Sequence, residues 1–187
     1  MKRILIACEC SQVVTTAFRH AGALAFSCDI LPSYGGHPEW HIQNDVTQVM
    51  YDKWDLVIAH PPCTMLSKVG SQHLYNGKHT IEQVIAARDF FMLFTKLSCP
   101  TCIENPIPMN IVGLPPYTQL VCPSQFGHPF TKKTCLWLYD LPPLLPMRGY
   151  YTDARSWLLH CNSTMKRRSR FWEGIAEAMA TQWLPII

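Results

Sequence analysis

The stretch Trp54-Asp55-Leu56-Val57-Ile58-Ala59-His60-Pro61-Pro62-Cys63 decides how this chain folds. Its aliphatic half is short and bounded by polar residues, and two prolines follow at once. That reads as a buried strand that stops at His60. The pattern repeats on both sides. Arg3 to Cys8 is a buried strand candidate stopped by Glu9, and Leu24 to Cys28 is another, stopped by Asp29. Downstream, Thr101-Cys102-Ile103 runs into Glu104-Asn105-Pro106, and Thr134 to Tyr139 reads as a further strand.

Helical periodicity fills the gaps. Residues 11–21 place Val14, Ala17, Phe18 and Ala21 at 3/4 spacing, with Ser11 as cap and Gly22 as stop. Residues 81–97 put Ile81, Val84, Ala87, Phe91 and Phe94 on one face, and residues 170–183 do the same with Phe171, Ile175, Met179 and Trp183. Strands alternating with helices predict an α/β fold, a mostly parallel sheet with helices on both faces. In such sheets ligands sit beyond the carboxyl ends of the strands. The polar punctuation falls there, at Glu9, Asp29, His60 to Cys63, and Glu104-Asn105.

The 187 residues are expected to form one domain, 1–187. Charged residues are only 16% of the chain, too few for long disordered or coiled-coil stretches. No run approaches the ~18 apolar residues of a transmembrane helix, and the first apolar run ends at Glu9, too early for a signal peptide. Nine cysteines, an odd number, predict free thiols and a cytoplasmic location. A net charge of +3 permits a polyanionic partner without requiring one.

Cys63 sits just past a strand, on a backbone stiffened by two prolines. A thiol there is either a nucleophile at the mouth of a site or a buried structural cysteine. Glu104, just past another strand, is either a functional carboxyl or a loop cap. Adjacent strands would bring the two to one substrate. Cys99 and Cys102 lack a second pair to complete a zinc site and read as free thiols. His37 and His41 flank Pro38 and read as loop-ordering residues, so no metal is expected. His60-Pro61-Pro62-Cys63 lacks the glutamate and second cysteine that zinc deaminases need. The polar run Lys68 to Thr80 reads as a closing loop or a surface loop. Lys166, Arg167, Arg168 and Arg170 read as phosphate contacts or as a solvated helix start.

Pro61-Pro62-Cys63-Thr64-Met65-Leu66-Ser67 resembles the Pro-Cys nucleophile motif of DNA cytosine-C5 methyltransferases. Glu104-Asn105-Pro106 resembles their Glu-Asn-Val motif. Gly127-His128-Pro129-Phe130-Thr131-Lys132-Lys133-Thr134 resembles their Gln-x-Arg-x-Arg segment. The chain is similar over nearly its whole length to small, often phage-encoded proteins of this kind. They share Ala7-Cys8-Glu9, Ser27 to Pro32, Gly35 to His41, and the helix after Arg168-Ser169-Arg170.

The resemblance implies a Rossmann-like methyltransferase sheet and S-adenosylmethionine-dependent methylation of cytosine C5 in single-stranded or duplex DNA. The same chemistry on a free cytosine nucleotide or RNA, or an inactive nucleic-acid-binding relative, are the alternatives. The implied roles are Cys63 as nucleophile adding to C6, Glu104 as the acid at the base edge, and Lys132 as the residue orienting the base or neutralising a phosphate. On the cofactor side it implies Glu9, Ser11, Asp29, Asp45 and Pro61, with Asp29 at the ribose and Asp45 at the adenine. On the substrate side it implies Pro62, Ser67, Asn105, Thr134, Arg168 and Arg170. Two departures stand out. The stretch Cys8-Glu9-Cys10-Ser11-Gln12 has no glycine where the family is Gly-rich, leaving Ser11 and the helix amides to take a carboxylate. The stretch between Tyr139 and Arg170 is too short for the family's separate target-recognition domain, so only a weak sequence preference is expected.

Overall fold

The computed structural model describes residues 1–68, 74, 76–147 and 171–187. Its strands are β1 (Arg3–Ala7), β2 (Leu24–Asp29), β3 (His41–Gln43), β4 (Leu56–Ala59), β5 (Thr101–Asn105), β6 (Gln119–Val121) and β7 (Thr134–Tyr139). All seven form one sheet in the order β3-β2-β1-β4-β5-β7-β6. The first five strands run parallel, and β7 is antiparallel to both neighbours. The α/β sheet foreseen from the sequence is present, mostly parallel and covered on both faces.

The helices are α1 (Val13–His20), α2 (Ile81–Phe94) and α3 (Glu173–Trp183). Side chains alternate along each strand, so β1 feeds two cores. Ile4 and Ile6 pack with Phe18 of α1 and Ile175, Met179 and Trp183 of α3. Leu5 and Ala7 pack with Met50, Trp54 and Phe91 and Phe94 of α2. Every residue of β4 is buried because both faces are covered.

Several element bounds differ from the sequence reading. Helix α1 starts at Val13, not at residue 11, because Gln12 is left-handed at φ 57° and the helix cannot run through it. Helix α2 ends at Phe94, and its Ile81 is exposed rather than part of the inner face. Strands β3 and β6 have three residues each and no apolar run to announce them. They exist because neighbouring strands offer free edges. No helix among the described residues is long and apolar enough to cross a membrane.

Candidate active site

Two adjacent strand ends hold the candidate catalytic residues. Strands β4 and β5 pair from Val57↔Thr101 to Ala59↔Ile103, so the chain leaves β4 at His60 beside Glu104. Asn105 locks this exit. Its side chain is buried and donates from Nδ2 to the Pro61 carbonyl at 2.8 Å. It thus positions the Pro-Pro-Cys segment from within. Beyond Cys63 the chain makes a tight turn, with the Leu66 and Ser67 amides donating to the Cys63 carbonyl at 3.1 and 2.9 Å. Ser67 is buried and bridges to Pro108, while the Met109 amide donates to Leu66 at 2.8 Å. The loops after β4 and β5 are therefore zipped together. Cys63 and Pro62 remain exposed, and Pro61 is buried.

Glu104 is the electrostatic centre. Its Oε2 lies 3.0 Å from Nδ1 of His60, and its Oε1 accepts from the Thr134 hydroxyl. Leu136 of β7 faces Glu104 in register, which makes Thr134 its diagonal neighbour on the same side of the sheet. Burial works to raise the Glu104 pKa. The hydrogen bond and charge of His60, then the Thr134 hydroxyl and the Lys132 charge, outweigh it and hold the carboxyl below its ordinary range. Although Cys63 is exposed at the surface, protein atoms around its sulfur strip away part of the water; that desolvation and then the Glu104 charge push the thiol up, and Lys132 opposes both. The structure thus brings Cys63, Glu104, Lys132 and Thr134 within electrostatic reach of one another. His60 joins them, although its only signal in the sequence is its place ahead of the two prolines. Phe171, just before α3, lies against the His60 ring at 4.9 Å between centroids.

The ends of β1 and β2 form the second half. Glu9 is buried and turned inward. Its carboxylate accepts from the Val14 and Thr15 amides at 2.8 and 3.2 Å, and from the Thr15 hydroxyl at 2.7 Å. Glu9 therefore caps α1, the role the sequence reading gave to Ser11. Ser11 donates to Glu9 at 3.2 Å and accepts from the Val13 amide only at the long distance of 3.5 Å. The reason is reach: the longer carboxylate spans from the strand end to the first turn, and its charge suits the helix dipole. The amides of Val14 and Thr15 are thus taken by the chain itself. No hydrogen bond among the described residues uses the N–H groups of Cys10, Ser11 and Gln12.

This loop turns without glycine. Cys8 and Gln12 both adopt positive φ, 59° and 57°. The buried Gln12 side chain donates to the His37 carbonyl at 2.7 Å and accepts from its amide at 3.1 Å. Gly35 packs so closely that a Cβ there would meet Gln12 and the Ser11 carbonyl at 2.5 Å. Asp29 accepts from the Leu31 amide at 2.9 Å, and Asp45 accepts from the Thr47 amide and hydroxyl at 2.9 and 2.8 Å. The Thr47 bonds hold the Asp45 carboxyl below its usual range. Burial, then Asp29, Cys28 and Asp45, push the Cys8 thiol up, and burial and Asp29 push Cys10 up to about 12. Asp29 at the end of β2 and Asp45 just past β3 therefore both act on Cys8 at the end of β1. His41 bonds Ser27 at 2.8 Å and the Leu31 carbonyl at 2.9 Å, and His37 stacks on Trp40 at 3.6 Å, so both order this loop.

A recess of about 550 Å³ lies between α1 and α3 and reaches the turn after β1, lined by Ser11, Gln12, Gly35, His20, Glu177 and Thr181 among others. It does not include Cys63 or Glu104. Lys166, Arg167, Arg168 and Arg170 lie outside the described residues, as does part of the Lys68 to Thr80 run. Among the described residues no three His, Cys, Asp or Glu side chains are grouped to hold a metal ion.

No protein-family model matches the sequence, and no curated protein matches it. By structure the chain is similar to a protein described as a DNA modification methyltransferase encoded within an E. coli prophage. The two are 14% identical with a TM-score of 0.50, over 79% of this chain and 51% of that one. The Dnmt2 methyltransferase of S. pombe is similar at 14% identity and a TM-score of 0.48, over 81% of this chain and 51% of its own. The chain spans about half the length of these structures. The first likeness shows a shared fold, the seven-stranded, mostly parallel α/β sheet described above.

Proposed function

We propose that this protein methylates cytosine at C5 in DNA, using Cys63 as nucleophile and S-adenosylmethionine as donor. The observation that carries the reading is the convergence of an exposed cysteine, Cys63, and a mostly enclosed carboxyl, Glu104, at neighbouring strand ends beside Lys132. C5 of cytosine is a poor nucleophile. Addition of the Cys63 thiolate to C6 turns the ring into an enamine and makes C5 nucleophilic. Glu104 pairs with N3 and the exocyclic amine, which selects cytosine and stabilises the adduct. Lys132 favours the thiolate and orients the base or a nearby phosphate. Loss of the C5 proton then expels the thiol. Thr134 stands where the resembled segment has its second arginine, and it positions Glu104 instead.

The residues around β1 and β2 fit the donor. The unbonded amides of Cys10 to Gln12 form a turn suited to a carboxylate, Asp29 suits the ribose hydroxyls, and Asp45 suits the adenine. When bound, S-adenosylmethionine supplies an electrophilic methyl group. Glu9, whose carboxylate caps α1, braces the turn from below.

The test incubates the protein with labelled S-adenosylmethionine and single-stranded DNA, duplex DNA, RNA or deoxycytidine nucleotide, then identifies any modified nucleoside. 5-Methylcytosine in DNA is expected, with single-stranded substrate modified at least as fast as duplex, since unstacking a base costs a few kcal/mol. Label in the free nucleotide or RNA alone would move the substrate while keeping the chemistry. No transfer to any substrate would overturn the reading.

A further inference from the structure

We propose that His60 is a positioning residue that holds Glu104 as a carboxylate in the resting site, so that the carboxyl takes up its proton only as the base binds and the Cys63 thiol ionises. The inference rests on the cytosine reading above.

The geometry is specific. His60 Nδ1 lies 3.0 Å from Glu104 Oε2, and the two side chains are only 12% and 14% exposed. A carboxylate can only accept, so Nδ1 carries the hydrogen. The other ring nitrogen, Nε2, is buried with no hydrogen-bond partner among the described residues, on a ring packed against Phe171. Glu104 is thus the only hydrogen-bond partner of the His60 ring within those residues. The Thr134 hydroxyl donates to the remaining carboxyl oxygen. Two donors, one on each oxygen, suit an anion and oppose a neutral acid.

The charged and titratable groups around this carboxyl act in the same sense. Lys132, just ahead of β7, favours the carboxylate. The thiols of Cys63 after β4, Cys102 on β5 and Cys135 on β7 are pushed toward the protonated form by loss of water first and by the Glu104 charge second. The resting site is therefore thiol plus carboxylate. Addition to C6 needs the opposite arrangement, thiolate plus carboxylic acid, with the same number of protons. One proton leaves sulfur and one arrives at Glu104, so the overall charge is unchanged. As the S–C6 bond forms, the C5–C6 π pair moves to C4–C5. The N3–C4 π pair becomes the N3 lone pair that takes the proton from Glu104. The carboxylate is restored and returns to His60 and Thr134. His60 thereby prevents Glu104 from holding a stray proton before a base is present.

The test uses the full chain and isotope-edited infrared titration of the Glu104 carboxyl, assigned by its loss in Glu104→Gln. In His60→Leu the carboxyl should protonate at a pH at least about one unit higher, a tenfold gain in proton affinity. His60→Asn, which keeps an N–H near the place of Nδ1, should shift it less. His60→Gln, of similar volume but with its donor displaced from Oε2, replaces His60→Leu if the apolar variant does not fold. In steady-state methylation of DNA, the rising limb of kcat against pH should move upward with the carboxyl midpoint, because the reactive site carries one proton shared between Cys63 and Glu104 and a second proton blocks it, while KM for DNA changes less than kcat. An unmoved midpoint in His60→Leu or His60→Gln would overturn the proposal, as would a uniform loss of kcat with an unmoved limb. Failure of the unmutated protein to methylate any substrate counts against the functional reading instead, and the infrared titration still decides what His60 does to Glu104.

Discussion

The two halves of the strand-end cleft are built by different means. At β4, β5 and β7 the site is held by side chains that face one another. Asn105 grips Pro61, His60 and Thr134 grip Glu104, and the loops after β4 and β5 are bonded together. At β1 and β2 the site is held by backbone shape. Two non-glycine residues take left-handed turns, Gln12 clasps His37 like a backbone strand, and Glu9 closes the helix end. The first half can be disabled by one side chain. The second should tolerate loss of a ligand but not loss of its folded loop.

The largest effect should come from Cys63→Ser. The hydroxyl is a far weaker nucleophile, so turnover should fall roughly a thousandfold or more with the fold unchanged. DNA carrying 5-fluorocytosine should trap a covalent adduct on the unmutated protein, and peptide mapping should place it on Cys63. An adduct on any other cysteine would break the comparison at its first half.

Next is the donor side. Asp29→Ala and Asp45→Ala should each weaken S-adenosylmethionine binding by about 1–3 kcal/mol, the value of a hydrogen bond to a charged group. Calorimetry is the measurement. Equal affinities in both variants and the unmutated protein would place the donor elsewhere.

Glu9→Ala should leave intrinsic donor contacts alone and act on stability. It removes a buried cap with three donors from α1, worth about 2 kcal/mol in denaturant unfolding. A variant of unchanged stability that fails to bind the donor would make Glu9 a ligand rather than a cap.

The smallest effect concerns pH. His128 Nε2 accepts from the Gly174 amide at 3.0 Å, which requires a neutral ring at the start of α3. Burial lowers its pKa, and Glu173 and Glu177 only partly offset this. A histidine whose folded pKa is depressed contributes stability above its unfolded value, and loses it as pH falls through the folded one. Stability should thus decline on acidification below about 6.5, and His128→Gln should flatten that decline. An equally steep decline in the variant would assign the acid sensitivity to other groups.

Much of the sheet was legible because a strand covered on both faces must be apolar along its length. Leu56 to Ala59 and Ile4 to Ala7 announce themselves that way. Cys63 was legible as a reactive residue just past such a strand; Glu104 was read just past its strand but lies within the end of β5, because pairing with Leu136 of β7 carries the strand through Asn105. His37 and His41 were read as loop-ordering residues, and their hydrogen bonds and stacking fill that role. Helix α1 was read as starting at residue 11 rather than 13, since periodicity does not register that Gln12 turns left-handed.

The sequence by itself determined which segments would be buried, and therefore that a parallel sheet would present its polar residues along one rim. That follows from local hydrophobic pattern, which needs no knowledge of neighbours. Only the tertiary structure decided how those rim residues divide their labour. Strand order brought His60 and Thr134, distant in sequence, to the two oxygens of Glu104. The turn after β1 sent Glu9 inward to cap a helix. Hydrogen bonds between segments far apart in the chain depend on pairing register and loop path, and a one-dimensional pattern does not carry either.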